Sequence, residues 1–236
     1  MQTKSARTWG TLIYAVGLIF ALGLAIAAIW GDYEALSYFY TGAVYGPFGG
    51  LHCPALMTHA EVVPISATFD NPTDKTIEPF YQVKISGVAA LRTIEKQLQV
   101  PPHSSATIQW TVDANDIDVG SFVMTKLTVL PFAGNPAREA TCGMLVLNLG
   151  NLTSAEVLPV GLGIGLVGIV LGLTLREGNA QPDSPQEASL RNGMRATGVA
   201  VLLALLTGFL GAWILGLIFS AITILMAFIL FRIGAS

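Results

Sequence analysis

Residues 196–231 run for 36 positions without one charged or amide side chain. As a single straight helix this run would exceed roughly 50 Å, well beyond the ~30 Å hydrocarbon core of a bilayer. Two other apolar runs accompany it, 11–30 ("TLIYAVGLIFALGLAIAAIW") and 153–175 ("TSAEVLPVGLGIGLVGIVLGLTL"). Each has the ~20-residue length that a helix needs to cross lipid. Only 11% of the 236 residues are charged and 53% are hydrophobic, against about a quarter charged in a soluble domain. The chain reads as a multi-span membrane protein.

Splitting the last run near Gly208–Trp213, "GFLGAW", gives two short spans, 196–212 and 213–232, with Trp213 at the interface. One long tilted helix is the competing reading. Lys4 and Arg7 precede the first run, so a signal peptide cleaved at Ala25-Ile26-Ala27 competes with a retained helix. The run is longer than a usual signal core, which favours a retained helix over 11–30. At 153–175, Thr153 and Glu156 have the spacing of a capping box. Asn151-Leu152-Thr153 also matches a glycosylation sequon, but so close to an apolar run the cap is preferred.

The middle of the chain, 51–152, changes character. Charged residues return, with β-branched alternation and turn residues. "EVVPISATFDNPTDK" reads as a strand ending in an Asn-Pro-Thr-Asp turn, and "FYQVKISG" as a second strand. "RTIEKQLQVPPHSSATIQWTVD" gives two strands joined at Pro101–Ser105, and "SFVMTKLTVLP" and "TCGMLVLNL" complete the set. About seven short strands with frequent turn signals predict an antiparallel β-sandwich. The run from "ATFDNPTDKTIEPF" to "LQVPPHSSATIQWTV", about 60–120, resembles bacterial immunoglobulin-like modules of the CARDB and NEW3 type. The shared features are the Asn-containing turn, a Pro-Pro-x-Ser-Ser-Ala corner and an inward aromatic, here Trp110. The resemblance implies an Ig-like fold in an extracytoplasmic setting and implies no activity.

The flanks orient the chain. Lys4, Arg7, Arg176, Arg191, Arg195 and Arg232 border the apolar runs on one side, with only Glu177, Asp183 and Glu187 opposing them. Segment 31–156 holds six Lys/Arg against twelve Asp/Glu, a net of −6. The positive-inside rule then places residues 1–10, the polar loop 176–195 and the C-terminus in the cytoplasm. The sandwich falls outside, in a bacterial inner membrane. Basic runs are absent, so nucleic acid is not an expected partner.

Residues 52–59, "HCPALMTH", gather soft metal ligands. A disulfide between Cys53 and Cys142 is the preferred use of the cysteines in an oxidising compartment. A metal site built on His52 and His59 and a pair of free thiols are the alternatives. Blue-copper ligand order is absent, and no C-x-x-C-H haem motif occurs. Gly163-x-Gly165-x-x-Gly168 imitates a dinucleotide fingerprint but lies inside an apolar span. "DANDIDVG" (113–120) hints at a calcium loop, yet Ile117 takes a ligand position and no glutamate closes the loop, so a solvated acidic turn is expected. No catalytic set, cofactor site or metal site is expected.

Two features point to contacts instead. Gly161, Gly165, Gly168 and Gly172 share one helix face and invite close backbone approach. Ala21, Ala25 and Ala28 of the first run have matching spacing, so the partner is either another subunit or that run. Segment 31–50 carries Tyr33, Tyr38, Phe39, Tyr40, Tyr45 and Phe48, aromatics that suit a membrane interface or a protein contact. Beyond Glu156 the apolar runs 11–30, 153–175 and 196–231 hold no Asp, Glu, Lys, Arg or His, which disfavours transport and haem or pigment ligation. The expectation is an α+β membrane protein, with four transmembrane helices plus one antiparallel Ig-like sandwich. It would serve as a non-catalytic accessory or assembly subunit of a larger membrane complex, a respiratory or photosynthetic one being a natural host. Its partners would be other membrane subunits and lipid. A membrane-anchored ligand-binding or adhesion module is the alternative.

Overall fold

The computed structural model describes residues 4–41, 45–132, 134–177 and 184–235. The chain forms two compact units, one from the stretches up to Ile29 and from Ala155 onward, the other from Trp30–Ser154.

The first unit is helical. It contains most of α1 (Lys4–Tyr38), α2 (Ser154–Glu177), α3 (Pro185–Phe209) and α4 (Trp213–Ala235). All four are long and apolar enough to cross a membrane. The 36-residue apolar run is two helices, as the split reading has it. Gly211 ends α3 with φ +72°, and the Ala212 N–H bonds the Thr207 carbonyl at 2.9 Å. Glycine supplies that left-handed C-terminal turn at little steric cost.

Two boundaries differ from the sequence reading. α1 runs through Tyr38, so much of the segment assigned to 31–50 is helix; residues 42–44 lie outside the described residues. α3 starts at Pro185, so the expected loop 176–195 is helical at both ends, and 178–183 lie outside the described residues. The reason is local. Ser184 caps α3 by accepting from the Glu187 N–H at 3.2 Å, and Pro185 takes the first helical turn, where its missing N–H costs nothing.

The second unit has two sheets. Its long strands are β4 (Val63–Asn71), β5 (Phe80–Ile85), β6 (Arg92–Gln97), β7 (Ser104–Val112), β9 (Phe122–Val129) and β10 (Arg138–Leu147). Short strands β1 (Gly46–Pro47), β2 (Leu51–His52), β3 (Leu56–Thr58) and β8 (Ile117–Asp118) fill the edges. One sheet runs β1-β10-β9-β5-β6, with β3 also on β10 and β8 on β9; the other is β2-β4-β7. A single apolar core includes Ile65, Val83, Trp110, Leu127 and Met144. The charged, exposed β6 forms one edge, which discourages edge-to-edge pairing.

The sheet is mixed, not purely antiparallel. β1 and β3 both pair with β10 in parallel. Residues 46–58 climb along the β10 edge, step to the other sheet at β2, and return at β3. Gly50 makes the step feasible, because a Cβ there would collide with the Thr68 carbonyl.

Candidate functional site

The glycine face is filled by the chain itself. Along α2, Gly161 meets Leu24, Gly165 meets Ala21, Gly168 meets Gly17 and Gly172 meets Tyr14, so α1 and α2 run antiparallel. A Cβ on Gly168 would lie 2.7 Å from Gly17 Cα, and one on Gly172 would lie 2.5 Å from the Tyr14 nitrogen. Of the three alanines, Ala21 faces α2, while Ala25 and Ala28 lie against Gly208 of α3. With α1 seated on it, this face leaves no room for another subunit.

The "HCPALMTH" segment is dispersed. Cys53 and Cys142 form a disulfide with Cα atoms 6.4 Å apart, tying the step between sheets to the middle of β10. Met57 is wholly buried in the sandwich core. His52 lines one cavity and His59 another. Among the described residues no three His, Cys, Asp or Glu side chains are placed to hold a metal ion.

The aromatic segment divides into an inward and an outward set. α1 ends on the outer face of the larger sheet, where Gly31 allows close approach to β10. A Cβ on Gly31 would lie 2.5 Å from the Gly143 carbonyl, and the Asp32 carboxylate accepts from the Gly143 N–H. Ala35, Phe39 and Met124 form a second small core there. Tyr38 donates to Asp118 Oδ2 at 2.6 Å, and Phe48 packs on Phe69 with ring centroids 5.0 Å apart. These inward aromatics pack within the sheet-rich unit, a correction to their reading as membrane-interface or protein-contact residues. Tyr33, beside Trp30 at 5.9 Å, is outward, and Tyr40 is 77% exposed.

Strand β9 is buried on both faces because the end of α1 covers it. Lys126 is 7% exposed and its Nζ lies 2.6 Å from Glu139 Oε2. It also reaches the Phe39 carbonyl at 3.4 Å and sits 5.7 Å from the Tyr45 ring centroid. The carboxylate, the carbonyl and the ring face together surround the Lys126 side chain end. Tyr45, whose place in the sequence suits a membrane interface or a protein contact, packs on Lys126 of the sheet.

Several polar anchors carry no signal in the sequence. Asn71 is buried and donates to the carbonyls of Lys75, Val100 and Pro101, while its Oδ1 accepts from Thr73 N–H. It joins the Asn-Pro-Thr-Asp turn to the Pro-Pro corner, two motifs legible separately but not as partners. Asp116 in the 113–120 turn is buried against Arg92, 2.6 Å from Nη2, so that turn is clamped and not merely solvated. Glu61 accepts from Thr58 N–H at 2.5 Å and from the N–H of Ser154, the first residue of α2, at 3.1 Å. An acid there also complements the helix N-terminal dipole.

A cavity of about 490 Å³ opens in the sandwich unit. Phe48, Phe69 and Phe132 supply apolar walls, with His52, Asp70 and Arg138 as polar groups. Burial pushes the phenol of Tyr81, beside Phe69, above its ordinary pKa. The lining suits a small, partly polar molecule and assembles no nucleophile–base pair.

No family model and no curated relative matches the chain. Solved structures with similar stretches include a Bacteroides uniformis beta-glucuronidase, at TM-score 0.32 and 8% identity, covering 41% of this chain and 12% of that one. A Paenibacillus cycloisomaltooligosaccharide glucanotransferase matches at TM-score 0.31 and 14% identity, covering 44% and 14%. The C-terminal domain of wzt matches at TM-score 0.27 and 8% identity, covering 50% and 87%. The chain thus spans less than a sixth of the two enzymes it is compared with.

Proposed function

We propose that this chain is a non-catalytic accessory or assembly subunit of a bacterial inner-membrane complex, with an extracytoplasmic Ig-like sandwich and cytoplasmic termini. The observation that carries the proposal is the outward set Trp30, Tyr33 and Tyr40 at the end of α1. Gly31, Ala35 and Phe39 on the inward side of that helix end hold its backbone against β9 and β10. Rigid, exposed Trp and Tyr side chains are what protein interfaces use as anchors. The glycine face plays no part in docking, since α1 fills it. Tagged protein purified from native membranes in mild detergent should bring a partner at constant stoichiometry. The triple substitution W30A/Y33A/Y40A should release that partner and leave the Cys53–Cys142 disulfide intact. Purification of the wild-type chain alone would refute the docking role.

A membrane-anchored ligand-binding module is the second reading, favoured by the 490 Å³ cavity with its aromatic walls and its His52, Asp70 and Arg138 groups. Arg138→Ala should then abolish binding of a small-molecule ligand while leaving any subunit association unchanged.

A further inference from the structure

We infer that the helical unit holds one anionic phospholipid, with its phosphodiester and upper acyl chain in a cavity of about 510 Å³ lined from all four helices. This goes beyond the docking role and rests only on the four helices crossing a bilayer.

The lining changes chemistry along α1. Arg7, Thr8 and Thr11 stand at one end, joined by Arg176 from the last turn of α2. Leu12, Ala15 and Leu18 continue along α1, opposite Ala227 and Leu230 of α4. A helix rises about 16 Å over the interval from Arg7 to Leu18, close to the ~15 Å depth of one hydrocarbon leaflet. A molecule that fills this cavity must be ionic at one end and apolar along the rest.

The two guanidiniums in the lining select an anion. Arg7 Nη1 lies 2.5 Å from Glu187 Oε1. Arg176 donates to Thr11 Oγ1, and among the described residues no carboxylate forms an ion pair with it. The nearby Glu177 is engaged by both Nε and Nη2 of Arg195 at 2.6 Å. Arg176 thus brings to the mouth a guanidinium that no carboxylate among the described residues neutralises by direct pairing. A phosphodiester carries one negative charge, and the planar guanidinium fork matches its oxygens. Basic pockets between membrane helices on the cytoplasmic side take anionic head groups for this reason. The positive flanks of the sequence place Arg7 and Arg176 on that side.

The test is native mass spectrometry of the full chain in mild detergent, titrated with phosphatidylglycerol, phosphatidylcholine or inorganic phosphate. Phosphatidylglycerol should bind at least about tenfold more tightly than phosphatidylcholine, and excess phosphate should not displace it. R7Q/R176Q should bring phosphatidylglycerol down to the phosphatidylcholine level. Ala227→Trp, which fills the apolar end, should weaken both lipids. Equal binding of the two lipids by the wild type would overturn the proposal. So would displacement by phosphate together with indifference to Ala227→Trp, which would mark a free-phosphate site. If the double variant does not fold, the wild-type lipid ratio and the phosphate competition decide by themselves. A chain that purifies without a partner yet keeps the phosphatidylglycerol preference would lose the docking role and retain the lipid site.

Discussion

In the sheet-rich unit many large side chains are fully buried, among them Met57, Ile65, Ile85, Met124, Leu127 and Met144. In the helical unit the closest contacts are made by residues with almost no side chain, Gly17 on Gly168 and Ala21 on Gly165. The contrast follows from the solvent each unit is built for. In water, burying apolar area drives collapse, so big side chains are worth most. In lipid the tails are as apolar as leucine, and helices gain by fitting backbones closely together. The sheet unit also invests in polar anchors, such as Asn71, Arg92–Asp116 and Lys126–Glu139. In the helical unit, ion pairs join Arg7 in the first turn of α1 to Glu187 in the first turn of α3, and Glu177 at the end of α2 to Arg195 of α3. A stapled, polar-pinned sandwich and a side-chain-poor helix bundle should therefore fail under different substitutions.

The largest effect should come from the staple. Replacing Cys53 and Cys142 by alanine frees a loop closed across 89 positions, worth about 4–5 kcal/mol by chain entropy. Thermal unfolding of the full chain in detergent, followed by circular dichroism, should show an earlier loss of strand signal with the helical signal retained. Loss of both signals together would break the distinction between the units. Next comes Glu139→Gln, which strands the buried Lys126 ammonium. Because Glu139 is partly exposed, the expected cost is about 2–3 kcal/mol, near the low end for broken buried pairs. The same unfolding assay reads it, and again only the strand transition should move.

Gly168→Leu tests the other side of the contrast. The new side chain would meet the Gly17 backbone, an overpacking cost of about 1–3 kcal/mol. Detergent-dependent loss of helical signal, with the disulfide unperturbed, is the expected result. The smallest effect belongs to Gly163→Ala, where a Cβ meets nothing within 4 Å. That substitution should be neutral or stabilise by under about 1 kcal/mol through helix propensity. If it were as harmful as Gly168→Leu, close backbone fit would not be what distinguishes the glycines.

Much of this architecture was legible because its signals are long or chemically sharp. The apolar runs, the break at "GFLGAW" and the six long strands all follow periodicity or turn chemistry. The glycine face was legible as a packing surface, but its partner was not, since spacing alone cannot choose between α1 and another chain. Short parallel strands such as β1 and β3 leave no period to read at two or three residues. The extension of α1 was hidden because Gly31 and Asp32 resemble a helix stop, whereas Gly31 serves the approach to Gly143. The start of α3 was carried by Ser184-Pro185-Gln186-Glu187, a helix-start pattern inside a stretch whose polarity suggested a loop. Lys126–Glu139 and Asn71 pair residues far apart in sequence, and only the register of the sheets brings them together.

The proposed function requires the sandwich on the extracytoplasmic side and the start of α3 on the cytoplasmic side. Single cysteines at the exposed positions Asn115 and Ser189 can be probed on intact cells with a membrane-impermeant maleimide. Asn115→Cys should label at once, and Ser189→Cys only after the membrane is permeabilised. Immediate labelling of Ser189→Cys with protection of Asn115→Cys would invert the orientation and contradict an oxidising, extracytoplasmic setting for the sandwich.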